Sequence, residues 1–300
     1  MKILGIRREV AFSPNMAGDD AAIFMAVVDE LRSLGHEVTA ICEKDMTEID
    51  YDAFDRVMTM ARDSRIMDEV VANIRNGNYD DLSVEETNNE IARRLGKFIN
   101  SLEGCILCTS KARMALEMVK NDIPQPPFKC GYKNIEFYKT TEPGTDITMP
   151  AWLKNSDTTA MILEDILFCK TKKDYNNAKS MFRRLDVFTW LLQQHQEGDL
   201  IKFYGVEGTD FFQWQYASQC HSKFNFEQIN GKEQGYAFDV NRIKECADTL
   251  AKQLHVPIYG GDVVIGPNNQ FWFIDFNDFP SFASCRERAA KVIAQRIINN

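Results

Sequence analysis

The sequence predicts an α/β fold that becomes α+β in its carboxyl-terminal part, and three observations support this. Residues 1–41 read as strand, helix, strand. Beyond about residue 150, short strand-like segments outnumber helices, and the chain closes with a hairpin followed by one helix. With 300 residues, 44% hydrophobic and 26% charged, it has enough apolar surface for a packed core and does not read as a disordered chain.

The opening Met1–Ile6 reads as a buried strand. After a polar loop, Asp19 or Asp20 would cap a helix whose apolar residues Ile23, Phe24, Val27, Val28, Leu31 and Leu34 fall on one face. Gly35 ends that helix and His36–Ile41 supplies a second strand, so the pair is expected to be parallel with a helical crossover. A third strand is expected at Arg56–Met60. Ser83, with Glu86 three residues on, reads as a capping box for a helix to about Leu102, and Cys105–Cys108 reads as a further apolar strand. Residues 1–108 should therefore form an amino-terminal, open parallel-sheet domain.

A helix at Lys111–Asn121 is stopped by Ile123-Pro124 and Pro126-Pro127. Strands are expected at Ala151–Lys154, Asp165–Cys169 and Val187–Gln193, with a basic helix at Lys172–Arg184. These place a central unit at 109–196 and a carboxyl-terminal one at 197–300. The last unit holds strands at Ile201–Val206 and Phe211–Tyr216, a helix at Asn241–Leu254, the hairpin Gly261–Ile265 with Phe271–Asp275, and a helix at Cys285–Ile298. The aromatic stretch from Phe211 to Phe226, with Trp214, Tyr216, His221 and Phe224, is expected to pack on the core as a strand and loop, an aromatic-lined acceptor pocket being the alternative.

Thirty-five basic residues stand against 44 acidic ones, a net charge of −9, which argues against nucleic acid or an anionic membrane as partner. The apolar run Ile3–Ile6 is broken at once by Arg7, Arg8 and Glu9, and the longest apolar stretch, Ala21–Val28, is too short to span a bilayer. A cytoplasmic location is expected, and with it eight reduced cysteines. The sequence leaves homodimerisation open.

The chemistry is concentrated between Tyr259 and Ser281. Side chains alternate along a strand, so Asp275 and Asn277 are expected on one face, with Ile274 and Phe276 on the other. The turn at Gly266–Gln270 makes a hairpin that brings Asp262 nearly opposite Asp275. Two facing carboxylates repel unless a cation lies between them. Two carboxylates and an amide form an oxygen-only set suited to Mg2+, with room for one or two ions.

The D-x-N strand, the Asp thirteen residues before it and the Pro-Ser and helix after it resemble the metal-binding end of the ATP-grasp superfamily. Members include D-alanine ligases and ribosomal-protein glutamate ligases. The resemblance extends back to about residue 105 and implies an ATP-grasp fold preceded by a pre-ATP-grasp domain. It also implies ATP and Mg2+ as cofactors. Lys111 looks like the first phosphate-contacting lysine. Lys154, in Pro150-Ala-Trp-Leu-Lys, is similar to the second. Gln193, Gln194 and His195 resemble the hinge that meets adenine, and Asp199 is the candidate for the ribose. Lys202, in Gly198-Asp-Leu-Ile-Lys, resembles the cation that faces the transferring phosphate. One departure is plain: the family's glycine-rich phosphate loop is replaced by Asn155-Ser-Asp-Thr-Thr159, where Ser156, Thr158 and Thr159 could contact phosphate and Asp157 would repel it.

Such a site would steer a γ-phosphoryl group onto an oxygen nucleophile. The resemblance implies a carboxylate nucleophile, an acylphosphate, and an amine that completes a C–N bond with release of ADP and phosphate. The substrates would be small-molecule or peptide carboxylates and amines. Arg7, Arg8 and Asn15 follow the first strand at its carboxyl end, and with Pro280, Ser281 and Arg286 they are expected to form the acceptor site. Two alternatives accompany this reading: a kinase acting on a polyol or inositol phosphate, and a non-catalytic ATP-binding module.

Overall fold

Four consecutive buried residues, Ile3–Ile6, make β1 (Lys2–Arg7) a strand covered on both faces. The computed structural model describes residues 1–13, 17–141, 145–219 and 226–300; Asn15, His221 and Phe224 lie outside them. Helix α1 (Ala17–Ser33) starts earlier than expected, so Asp19 and Asp20 sit in its first turn, where they favour the positive end of the helix dipole, rather than before it as caps. Strands β2 (Glu37–Cys42) and β3 (Arg56–Thr59) flank β1, both parallel to it. After α2 (Ser64–Arg75), helix α3 (Val84–Leu95) carries the Ser83–Glu86 capping box. It stops at Gly96, short of Leu102, and β4 (Phe98–Ile99) completes a parallel sheet in the order β2-β1-β3-β4.

Cys105–Cys108 is helical, not a strand. It lies in α4 (Leu102–Cys108), whose start is capped by the Ser101 hydroxyl accepting the Gly104 N–H. Leu102, Cys105 and Ile106 enter one core, a spacing of three and four that fits a helix face and not alternation. Ser110 caps α5 (Lys111–Lys120). The hairpin β5 (Phe128–Tyr132) and β6 (Ile135–Lys139), which no sequence signal had marked, begins a second sheet with β7 (Ala151–Asn155), β8 (Ile166–Cys169) and β9 (Thr189–Gln194). Its order is β6-β5-β9-β7-β8, and α6 (Lys172–Arg184) packs on it.

The third sheet is antiparallel, β11-β10-β12-β13, built from β10 (Asp199–Val206), β11 (Phe212–Tyr216), β12 (Ile258–Ile265) and β13 (Phe271–Asp278). Helix α7 (Val240–Leu254) packs on it, and α8 (Arg286–Ile298) lies beside α1. Trp214 and Tyr216 pack against that core, Trp214 edge-on to Phe238. A further core joins the two ends of the chain: Ile3, Phe24 and Val27 share it with Val206, Ile258, Phe279, Phe282 and Ile293. Among the described residues no helix is long and apolar enough to cross a membrane.

Candidate functional site

The β12–β13 hairpin carries a bulge. Val263 pairs with Phe273, but the next residue back, Asp262, pairs with Asp275, so Ile274 is the extra residue. Phe271 and Phe273 face the core before the bulge and Phe276 faces it afterwards. In an unbroken strand Asp275 and Asn277 would share the face of Phe271 and Phe273. The bulge turns them to the opposite side, onto a cavity of about 370 Å³. Ile274 lines that cavity as well, whereas simple alternation put it on the Phe276 side. Gly261 permits the close pairing, because a Cβ there would lie 2.3 Å from the Asp275 carbonyl oxygen.

Three lysines from three elements meet this hairpin. Lys111, the first residue of α5, donates to Asp275 Oδ1 and lies 3.5 Å from Asn277 Oδ1. Lys202, on β10 and opposite Asp262 in the ladder, donates to Asp262 Oδ1 at 3.2 Å. Lys154, near the end of β7, donates to Gln193 Oε1 at 2.7 Å and to the Ile274 carbonyl at 3.1 Å, so the bulged residue also orients it. Burial pushes the Lys154 ammonium down to about 8, against the attraction of Asp275. Burial would raise Asp275, but Lys111 and Lys154 outweigh it and hold the carboxyl below its ordinary value.

Among the described residues no three His, Cys, Asp or Glu side chains cluster as a metal site. Asp262, Asp275 and Asn277 instead offer two carboxylates and an amide, and Asn277 Nδ2 donates to Asp275 Oδ2 at 2.7 Å, turning the amide oxygen towards Lys111. These all-oxygen donors, now facing ammonium groups, fit a hard cation such as Mg2+.

The segment after Lys154 is folded back rather than glycine-rich. Asp165 accepts Asn155 Nδ2 at 2.7 Å and the N–H groups of Met161 and Ile162. Asp157 accepts the N–H groups of Phe188 and Thr189 and does not line the cavity, so its charge is directed away from it. Ser156 is buried. Its hydroxyl lies 2.9 Å from Ser110 Oγ and accepts the Ala112 N–H, which fixes the start of α5 and with it Lys111. Of the three hydroxyls, only that of Thr159 belongs to a residue lining the cavity.

At the other end of β9, Gln193, Gln194 and His195 line the cavity, but the N–H groups of Gln194 and His195 already donate to the carbonyls of Pro127 and Pro150. A base edge would therefore meet carbonyls or side-chain amides here. Trp152 was not singled out by the sequence. Its indole N–H donates to His195 Nδ1 at 3.1 Å, and its ring contacts Phe226 and Phe168. With Leu200, Val264 and Ile274 it makes this part of the wall apolar. Burial lowers the His195 pKa, with Glu197 opposing.

Three expected site residues lie elsewhere. Asp199 is buried and accepts the N–H groups of Gln234, Gly235 and Tyr236 at 2.7–2.9 Å; its carboxylate caps a loop and does not line the cavity. Arg286 pairs with Asp19 at 2.8 Å, outside the cavity. Arg7 is exposed, since it follows the buried run of β1 on the outer side. Arg8, Pro280 and Ser281 do line the cavity, and Arg8 donates to Asp20, to the Met60 carbonyl and to the Phe279 carbonyl. Arg62 and Asp20 line it too, and the sequence had marked neither as a site residue.

The fold matches solved structures over nearly the whole chain. A D-alanine–D-alanine ligase from Bacillus anthracis, complexed with ATP, superposes with a TM-score of 0.61 at 12% identity, covering 100% of this chain and 95% of that one. The chain has the ATP-grasp fold. A RimK domain ATP-grasp protein from Sphaerobacter thermophilus gives 0.59 at 13% identity, covering 99% and 100%. The D-alanine–D-alanine ligase from Coxiella burnetii gives 0.61 at 11%, covering 100% and 96%. No protein-family model and no curated protein matches the chain. In this ATP-grasp chain the cavity lies where all three sheets contribute residues: Arg8 and Arg62 follow the first, Trp152 and Gln193 belong to the second, and Lys202 and Asp275 to the third.

Proposed function

We propose that this chain is an ATP- and Mg2+-dependent ligase that joins a carboxylate to an amine. The observation that carries the reading is the convergence of Lys111, Lys154 and Lys202 on Asp262, Asp275 and Asn277 in one cavity, which Arg8 and Arg62 also line. Trp152 and the apolar wall would hold the base, and Lys111 and Lys154 the phosphates. Asp262, Asp275 and Asn277 would hold Mg2+, which neutralises phosphate charge and draws electrons from the transferring phosphorus. Lys202 would face the phosphoryl group in transit. A carboxylate oxygen attacks the γ-phosphorus and ADP leaves. The amine then attacks the acyl carbon, phosphate leaves and the ammonium proton is released to solvent. The similar solved structures, two of them D-alanine–D-alanine ligases, support a ligase.

The test follows an oxygen atom. With MgATP, an amine pool and 18O-labelled carboxylates, a ligase of this type transfers one labelled oxygen into the phosphate released. A phosphorylated polyol would identify a kinase instead, and tight ATP binding with no ADP formed would identify a binding module.

A further inference from the structure

Arg62 follows β3 and is 7% exposed, yet it lines the cavity. Its Nη1 donates to Asp278, the residue after Asn277. Its Nε and Nη2 meet no acceptor among the described residues and are not sealed from solvent, so the free side of the fork stays accessible in a residue that lines the cavity. The guanidinium keeps its charge throughout. The residue is also held firmly. Its own N–H and that of Asp63 donate to Glu43 at 2.6 and 2.9 Å, and the fully buried Glu43 carboxylate also takes the Glu9 N–H. Ser281, nine-tenths buried, lines the same cavity, and its hydroxyl has no hydrogen-bond partner among the described residues.

The charges at this end cancel in pairs, Arg8 with Asp20 and Arg62 with Asp278. No surplus of cations is available for a polyphosphate, whereas a single planar anion matches the open side of a guanidinium fork. We propose that Arg62, with the Ser281 hydroxyl, binds a carboxylate of the acceptor substrate, which is then a small carboxylic acid and not a phosphorylated polyol. This rests on the ligase reading for the word acceptor, but the anion site itself does not.

The experiment titrates the purified chain with D-alanine, L-glutamate, succinate and inorganic phosphate, each with and without MgADP, and follows melting temperature. Arg62→Gln would strand the Asp278 carboxylate, so the paired variant Arg62→Gln with Asp278→Asn is used beside it. At least one carboxylate should raise the wild-type melting temperature, and its apparent affinity should fall roughly 10- to 100-fold in the paired variant. Affinity for MgADP should stay within about twofold, as expected if only acceptor contacts are lost. The assignment is overturned if no carboxylate shifts the wild type, if the paired variant binds as well as the wild type, or if phosphate alone binds. Failure of MgADP to bind the wild type would sink the nucleotide reading, while the titrations without it still decide Arg62.

Discussion

Asp262 and Asp275 are cross-strand partners because Ile274 is one residue more than the hairpin ladder needs. The regular register from Ile265 with Phe271 would have paired Asp262 with Ile274 and sent Asp275 into the aromatic core. Deleting Ile274 should therefore either remove the bulge and bury two polar side chains, or shift the outer strand by a residue. In both cases the chain loses nucleotide binding, and in the first it loses several kcal/mol of stability, as expected for unpaired buried polar groups. A deletion variant that melts and binds nucleotide like the parent would show that the bulge is not what orients these carboxylates.

Lys154 gives a pH prediction with a definite sign. Its pKa is about 8 in the folded chain and near 10.5 when unfolded, so the folded state holds fewer protons between these values and stability rises with pH across that window. Below pH 8 the buried ammonium is a constant cost of about 3 kcal/mol. Lys154→Met should stabilise the nucleotide-free protein at pH 7, by up to that amount less its two lost hydrogen bonds, and the gain should shrink towards pH 10. Urea denaturation at pH 7, 8.5 and 10 measures this; a gain independent of pH would contradict it. The same substitution should abolish ATP binding.

Asp262 and Asp199 should respond in opposite ways. The Lys202–Asp262 pair is about a quarter exposed, so Asp262→Asn should alter stability by less than about 1 kcal/mol while lowering Mg2+-dependent turnover roughly 100-fold or more. Asp199→Ala strands three loop N–H groups and should cost about 2 kcal/mol or more. Nucleotide affinity of the folded fraction should not change. Calorimetric titration of both variants distinguishes them, and a large loss of ATP affinity in Asp199→Ala would restore that residue to the ribose.

Glu43 is the fastener of the loops around Arg62, holding N–H groups of Glu9, Arg62 and Asp63 with one carboxylate. Replacing it with alanine should destabilise the chain by about 2–4 kcal/mol. Partial rescue is expected from Glu43→Gln, whose amide oxygen can still accept. Equal losses in the two variants would mean that volume, and not hydrogen bonding, sets the effect.

The parts of this fold legible in the sequence were those with local periodic signals. The basic helix Lys172–Arg184 and the capping box at Ser83 are set by neighbours three and four residues away, and both are present. Cys105–Cys108 misled because a run of four apolar residues fits either a strand or a buried helix, and only Ser101 before them and the packing of Leu102 with Ile106 decide it. The carboxylate-bearing hairpin was legible as a motif. The bulge that makes it work was not, since nothing in Phe-Ile-Asp marks which residue is extra. Arg62 was invisible for another reason: its neighbours in sequence are ordinary, and its importance comes from Asp278, more than 200 residues away.

Phe279 and Phe282 follow β13 and enter the same apolar cluster as Ile3, Phe24 and Ile293. That cluster solders the first and last thirds of the polypeptide into one block, which neither third could sustain if severed from the other. The middle sheet, by contrast, keeps two small apolar clusters largely to itself and is tied across through α5. Lys111 thus stands on the helix that ties the two blocks together, and Lys154 on the sheet that this helix ties in.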